Sequence, residues 1–335
     1  MKQIYQTSLG TAYQADANDL LGSVESDSVD LIITSPPFAL QRQKEYGNKT
    51  EVEYINWLLS FGPQIHRVLK DTGSFVIDLG GAYRRNRPVR SLYNYQVLLR
   101  FCEEFDFRLA EEFFWHNPAK LPSPIEWVNK RKIRAKDSVD TIWWMSKTDF
   151  PKADVRRVLT PYSDRMKKLL ENPELFYQPA KRPSGHSISR GFDNSSNGGA
   201  IPSNLLQFSN TDSNSVYLHL CKKFGIKQHP ARFPSRLPEF FIKFLTEEGD
   251  MIIDPFAGSN TTGATAEAQK RRWISGDLVL EYIAASIFRF ATDRNDILIE
   301  QVFKSLMSGT NGSYEIPRCI NTSRPNVASF AANPI

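Results

Sequence analysis

Met251-Ile252-Ile253-Asp254-Pro255-Phe256-Ala257-Gly258-Ser259-Asn260-Thr261-Thr262 is an apolar strand that stops at a proline and passes through a glycine turn into a helix start. Pro255 ends the strand ladder because it has no N–H to give. Gly258 lets a ligand approach the backbone with no Cβ in the way. Ser259 and Thr261 are natural caps for a helix beginning near Thr262, whose free N–H groups face the same crevice. In doubly wound sheets, ligands sit at the carboxyl ends of strands in this position. The next strand, Trp273-Ile274-Ser275, ends at Gly276-Asp277, about twenty residues on, where an acid meets the two hydroxyls of a ribose. No Gly-Lys-Ser/Thr follows the turn, and Asp254 repels a pyrophosphate. A zwitterion bearing a ribose fits better, with Asp254 pairing an ammonium group. The bland alternative for this segment alone is a structural turn with an N-cap.

A second strand end lies more than two hundred residues earlier. Val29-Asp30-Leu31-Ile32-Ile33 leads into Thr34-Ser35-Pro36-Pro37-Phe38. Two prolines fix φ and restrict the residue before each, so the carbonyls point in a preset direction. An exocyclic base amine carries two N–H donors and a lone pair delocalised into its ring. A Ser35 oxygen and the Pro36 carbonyl accept both hydrogens and favour a pyramidal nitrogen, while Phe38 stacks on the base. Rigid acceptors of that kind stabilise a transition state more than the ground state. Ser35 is a poor general base at neutral pH, so its role is orientation. Taken alone, Ser-Pro-Pro-Phe occurs in many loops.

Between and around these turns the chain alternates short β-type runs with helical stretches. Glu51 to Leu69 and Asn94 to Phe105 have helical periodicity, and Lys70-Asp71-Thr72-Gly73 is a turn. Ser74-Phe75-Val76-Ile77-Asp78, Phe113-Phe114-Trp115 and Thr141-Ile142-Trp143-Trp144-Met145 read as strands. Residues 179–215 are rich in Ser, Asn, Gly and Pro without a sustained period, as functional or disordered loops are. After Gly225 the alternation returns, with helices over Leu237 to Leu245, Ala264 to Lys270 and Glu281 to Phe290. Alternating β and α units imply a parallel sheet covered on both faces. The simplest organisation is one α/β domain, 1–150 plus 226–308, interrupted by an insert over 151–225 and followed by a tail over 309–335 that frays.

At 335 residues the chain has ample length for a real core. No apolar run approaches the roughly 18 residues of a membrane span, and Met1 to Gly10 lacks a signal-peptide core. Cys102, Cys221 and Cys319 are scattered and odd in number, which argues against a disulfide framework or a metal site and suits a reducing cytoplasm. The net charge of +5 is unevenly spread: 116–136 holds six Lys/Arg against one acid, and 151–225 holds eleven against six. Such concentration is the footprint of a polyanion binder, with solvated helix faces as the plain alternative. Lys130, Arg131, Lys132 and Arg134 follow a Pro-rich loop after a strand end, a place suited to phosphate contact.

Together these residues resemble the β-class of amino-methyltransferases, which move a methyl group from S-adenosyl-L-methionine to a DNA base. The Ser-Pro-Pro-Phe form is typical of the N4-cytosine members, whereas N6-adenine members usually begin with Asp or Asn. One departure stands out: Asn260 replaces a usual glycine, although asparagine tolerates a left-handed backbone. Phe38-Ala39-Leu40-Gln41-Arg42, Leu121-Pro122-Ser123-Pro124-Ile125-Glu126-Trp127 and Arg182-Pro183-Ser184-Gly185-His186 are similar to the PvuII-type N4-cytosine enzymes. The resemblance implies a permuted Rossmann-like methyltransferase sheet, mostly parallel with one antiparallel strand, carrying an inserted loop-rich target-recognition region. It assigns Ser35, Pro36, Pro37 and Phe38 to catalysis. To the cofactor it assigns Asp16, Thr34, His229, Pro230, Asp254, Pro255, Phe256, Gly258, Ser259, Asn260, Thr261 and Asp277. Lys130, Arg131, Lys132, Arg134, Arg182, Ser184 and His186 are its DNA contacts. His186 and His229 also have plain readings as hydrogen-bonding residues, and Trp143-Trp144 as core.

The implied reaction is direct transfer from a sulfonium to cytosine N4 in double-stranded DNA, within a restriction-modification system whose cognate endonuclease acts separately. Reaching N4 requires the base to be flipped out, at a cost of a few kcal/mol. Basic residues supply salt-sensitive phosphate contacts, and the insert reads base edges. C5-cytosine chemistry needs a cysteine after proline, and none of the three cysteines follows one. An N6-adenine or RNA methyltransferase, or a non-catalytic DNA-binding protein, stays open at this point. The chain is expected to act as a cytoplasmic monomer.

Overall fold

The computed structural model describes residues 1–37, 50–172, 198–210, 215–291, 296–309 and 314–315. Buried apolar strands start the architecture. β3 (Val29–Thr34) is buried at every position, and β8 (Met251–Asp254) at all but the first. Strands covered on both faces read as continuous apolar runs, as these do. Beside them lie β4 (Leu69–Leu79) and β9 (Arg272–Asp277), all four running parallel. β1 (Lys2–Gln6), β2 (Gly10–Gln14), β5 (Arg108–His116), β6 (Val139–Ser146), β7 (Leu205–Gln207) and β10 (Tyr314–Glu315) complete one sheet in the order β10-β1-β2-β9-β8-β3-β4-β6-β5-β7.

From β2 to β5 that order holds seven strands with β6 alone reversed, as expected. On the far edge β1 runs antiparallel to β2 and β10 follows β1, so two further reversed strands extend the sheet. The helices Arg236–Leu245, Val216–Lys223 and Leu280–Ala285 cover one face through Phe241, Ile242, Leu220 and Ile283. On the other face Leu20, Tyr54, Leu58, Ile65, Val97 and Phe101 pack from the helices of the first half. Trp143 and Trp144 are both buried, one in each layer.

Three local features differ from the sequence reading. The helical stretch 51–69 is two helices, Glu51–Leu59 and Gly62–Val68, parted where Gly62-Pro63 cannot continue the first. Residues 70–73 are not a separate turn but the first part of β4, with a register irregularity against β3 between Val29 and Leu31. β1 and β2, short and half polar, carry too little apolar period to be read in advance.

The insert contributes to the core as well as interrupting the sequence. β7 pairs with β5, matching Phe114 to Leu205 and His116 to Gln207. Tyr217, Leu220 and Cys221, on the helix Val216–Lys223, are fully buried in the main apolar cluster. Because the second half of the insert shares the core, Leu220→Ala is expected to cost about 2–5 kcal/mol. It should lower the midpoint of the main thermal transition. A loss confined to a separate, minor transition in calorimetry would show that this region folds independently.

Candidate active site at the carboxyl edge of the sheet

Because β2, β9, β8, β3 and β4 are parallel, their carboxyl ends share one edge. Register puts Thr34 beside Ile77, Asp254 beside Ser275, and Gln14 beside Asp277. The two turns separated by over two hundred residues therefore meet. Thr34 Oγ1 donates to Asp254 Oδ1 at 2.7 Å. Thr262 Oγ1 donates to Asp254 Oδ2 at 2.7 Å, and the Phe256 N–H donates to Oδ1 at 3.1 Å. Asp254 is buried with both oxygens engaged, so its direct role is to bind the two turns together.

The helix Thr261–Ala268 starts differently from the expected caps. Asn260 is the N-cap, in the left-handed conformation at φ 52°, and its Oδ1 accepts from Gly263 N at 3.0 Å. A Cβ at position 263 would lie 2.3 Å from that oxygen, so any larger residue there would have to displace the Asn260 amide. Asn260 Oδ1 also accepts from Ser275 Oγ at 2.7 Å, and its Nδ2 donates to Tyr5 Oη at 2.9 Å. Neither Ser259 nor Thr261 caps the helix: Ser259 accepts from Arg289 through its carbonyl and hydroxyl, and Thr261 is a buried first-turn residue. The substitution of glycine by asparagine thus supplies the cap itself.

Gly258 has φ 52°, and its N–H donates to Asp277 Oδ2 at 2.9 Å. Asp277 Oδ1 accepts from Val279 N at 2.8 Å. Each oxygen retains a lone pair, which is what a ribose diol requires of a carboxylate. Asp16 caps the helix Ala17–Gly22 by accepting from Asn18 N at 2.8 Å, just beyond the end of β2. The His229 ring lies against Gly258 and meets the Tyr282 ring edge-on at 4.7 Å; Pro230 beside it is exposed and Pro255 is buried. Phe256 packs edge-on against Trp57 and Phe61. A crevice with a left-handed turn, a helix start and a half-engaged acid fits a nucleoside with a charged tail.

At the Ser-Pro-Pro turn Pro36 is buried and Pro37 exposed, while Phe38 lies outside the described residues. Ser35 is within hydrogen-bonding reach of Asp78, at the end of β4. Asp78 escaped the sequence reading. Its carboxyl is buried, and Oδ1 has no partner among the described residues. Burial, then the nearby Asp140, push its pKa well above the usual carboxylate range, against Ser35 and Lys120. Asp140 is itself raised by burial and held by Lys120 Nζ at 3.1 Å. In the sequence, Ser74 to Asp78 reads only as a strand. Its terminal acid next to Gly80-Gly81 was the available signal.

The expected DNA contacts divide. Lys130 and Arg131 both pair with Glu126, at 3.3 and 3.0 Å, and Arg131 lies over Trp127. Arg134 donates to the Pro88 carbonyl from Nε and Nη2, at 2.9 and 2.6 Å. Lys132 is exposed, whereas Arg182, Ser184 and His186 lie outside the described residues. No group of metal-ligating side chains occurs among the described residues, and no helix there is long and apolar enough to cross a membrane.

Known proteins are similar to this chain in sequence and fold. The profile of the N6/N4 DNA methylase family matches residues 29–288. Over 309 residues, 92% of either chain, the sequence is 55% identical to the type II methyltransferase M.PvuII of Proteus hauseri. It is 25% identical over 298 residues to the type II methyltransferase M.ScaI of Streptomyces caespitosus, covering 88% of this chain and 86% of the relative. The fold superposes on the PvuII DNA methyltransferase (cytosine-N4-specific) with a TM-score of 0.77 at 47% identity, covering 94% of this chain and 97% of that one.

The buried tie has a pH signature. Burial raises the Asp254 pKa from 3.8 to about 6, although Thr262, Thr34 and the Phe256 N–H pull it down. Between those values the native state holds a proton that the unfolded chain releases. Stability from this group is therefore full below the unfolded pKa and lost as pH rises through the folded one. Asp254→Asn removes the titration. Urea unfolding should show the variant gaining on wild type by on the order of 3 kcal/mol between about pH 4 and about pH 7.5. A pH-independent difference would overturn this account.

Proposed function

The chain belongs to the N6/N4 DNA methylase family, and on that premise we propose that it is a site-specific DNA methyltransferase that methylates the exocyclic N4 of cytosine as part of restriction-modification. One observation carries the reading: the Ser-Pro-Pro turn and the Asp254 turn, remote in sequence, are joined by the Thr34–Asp254 hydrogen bond at a single edge. S-adenosyl-L-methionine is the cofactor, and when bound it supplies an electrophilic methyl group on a sulfonium.

In this proposal the residues of the two turns and their neighbours take separate roles. Asp277 accepts from the ribose and Asp16 stands near the adenine. His229 and Pro230 flank the methionine end, where the His229 ring and Gly258 close the turn from the side. Pro255 to Thr261 shape the turn, while Asp254 and Thr34 hold it against the target pocket. Ser35 and the Pro36 carbonyl accept the two amine hydrogens of the target base, with Phe38 as its stacking partner. Asp78 is the proton acceptor of the site: as N4 gains a methyl group it sheds one proton, which passes through the Ser35 hydroxyl to the carboxylate. A raised pKa makes Asp78 a stronger base in its ionised form, and a site shielded from water strengthens that effect.

The substrate is DNA, and we take it to be duplex with the cytosine flipped into the pocket at a cost of a few kcal/mol. Lys130, Arg131, Lys132 and Arg134, with Arg182, Ser184 and His186, are proposed to face that duplex. Residues 1–150 and 226–308 form the catalytic domain in this reading, 151–225 the recognition insert and 309–335 the tail. A cytoplasmic monomer working beside a separate endonuclease completes the proposal.

The test is incubation with duplex DNA and labelled cofactor, followed by nucleoside chromatography against 4-methyl- and 5-methylcytosine and 6-methyladenine standards. Label in 4-methyldeoxycytidine is expected; label in 6-methyladenine would refute the acceptor. Ser35→Ala and Asp78→Asn should each lower kcat by about 10²-fold or more with DNA affinity nearly kept. Wild-type kcat should rise with pH as Asp78 ionises, and Asp78→Asn should lose that limb. Full activity in either variant would refute the corresponding role.

A further inference from the structure

Arg84-Arg85-Asn86-Arg87-Pro88-Val89-Arg90 holds four arginines and no acid, yet it lies outside both basic segments singled out from the sequence. It follows Asp78-Leu79-Gly80-Gly81 after only Ala82 and Tyr83, so it leaves the same sheet edge as the turn at Ser35. The segment is a tight hairpin. Arg84 N donates to Val89 O at 2.9 Å, Arg87 N to Arg84 O at 3.1 Å, and Ser91 N to Ala82 O at 2.9 Å. Tyr83 and Arg90 form an antiparallel bridge, and Asn86 takes the left-handed conformation at φ 57°.

Two arginines anchor this hairpin. Arg90 grips Asp137 with two bonds of 2.8 Å and lies 4.6 Å over the Tyr83 ring. Arg134 reaches from the neighbouring loop to the Pro88 carbonyl. Arg84, Arg85 and Arg87 are exposed, and among the described residues none has an ion pair or side-chain hydrogen bond. Three like charges held within four residues repel one another. A polyanion relieves that repulsion, and a braced turn loses little freedom on binding. Guanidinium forks match phosphate oxygens in pairs, which ammonium groups do not.

We propose that the hairpin Tyr83–Arg90 is a phosphate clamp, in which Arg84, Arg85 and Arg87 grip the DNA backbone beside the pocket that receives the target base. The clamp rests on the DNA-methyltransferase reading for its ligand. It contributes binding and leaves the chemical step to Ser35 and Asp78. Contacts of this kind fix the register of the duplex and carry no sequence information.

The full-length chain with Arg84, Arg85 and Arg87 all replaced by Ala, and a second variant with all three replaced by Lys, test it. Dissociation constants for a duplex are measured over a salt series, with thermal unfolding as the check on folding. Each lost phosphate contact should reduce the slope of log K against log salt by about 0.9, so a total loss of ~2 to 3 is expected for the alanine variant. The lysine variant should recover most of the slope. At saturating DNA the alanine variant should keep kcat within a few-fold while KM for DNA rises. A folded alanine variant with the wild-type slope would overturn the clamp. If the alanine variant does not fold, a lysine variant that loses as much slope as removal of the charges predicts would overturn it instead. Wild type that shows the slope but transfers no methyl group would refute the enzymatic reading and leave the clamp standing.

Discussion

The hydrogen bond from Thr34 to Asp254 is the joint on which the rest depends. Parallel pairing of β3 with β8 brings the two strands together, but the ladder matches only Leu31 with Ile252 and Ile32 with Ile253. Beyond that point each chain leaves on its own turn. The Asp254 carboxylate spans the gap, taking Thr34 on one side and Thr262 with the Phe256 N–H on the other. Burying that carboxylate is costly, as its raised pKa records. Three donors offset part of the cost, and the position of the Ser-Pro-Pro turn relative to the glycine turn is fixed in return. Removing one partner of such a buried network costs more than one exposed hydrogen bond, because the remaining groups are left dry.

Asn260 extends the same construction outward. A glycine would satisfy the left-handed backbone at this position but would leave Gly263 N without its cap. Through its amide, Asn260 also reaches Ser275 on β9 and Tyr5 on β1, and Tyr5 in turn pairs with Ser286 at 2.6 Å. β1, the glycine turn and the segment after the helix Leu280–Ala285 thereby share one buried network. Its fully buried asparagine is satisfied at both ends, the condition under which such a network rigidifies a core.

How much was legible in the sequence follows from the range of the interactions. β3 and β8 were readable because strands buried on both faces need unbroken apolar runs, and the turns after them carry Pro and Gly for backbone reasons. β1, β2 and β7 were not, since short, half-polar strands toward the ends of the sheet owe their existence to neighbours rather than to their own pattern. Asp78 is the same lesson at the site. Only the parallel register of β3 with β4 puts it beside Ser35, and nothing within five residues of Asp78 reveals that neighbour. Asn260 rather than Ser259 or Thr261 caps the helix, and Ser259 is engaged instead by Arg289, thirty residues on.

Charge shows most clearly why composition and contact must be read together. Counting basic residues singled out 116–136, yet within it Lys130 and Arg131 share Glu126, Lys120 neutralises Asp140, and Arg134 is tied to a carbonyl. A cation already paired contributes less new attraction to an approaching polyanion, because its partner carboxylate remains nearby. The hairpin after β4 is the reverse case: few residues, but three guanidiniums without carboxylates among the described residues. Arg134 joins the two, since its bond to Pro88 uses one charge of the basic loop to fix the backbone of the hairpin. Some cations at this edge thus act as struts, which leaves others free to meet phosphate in a fixed position.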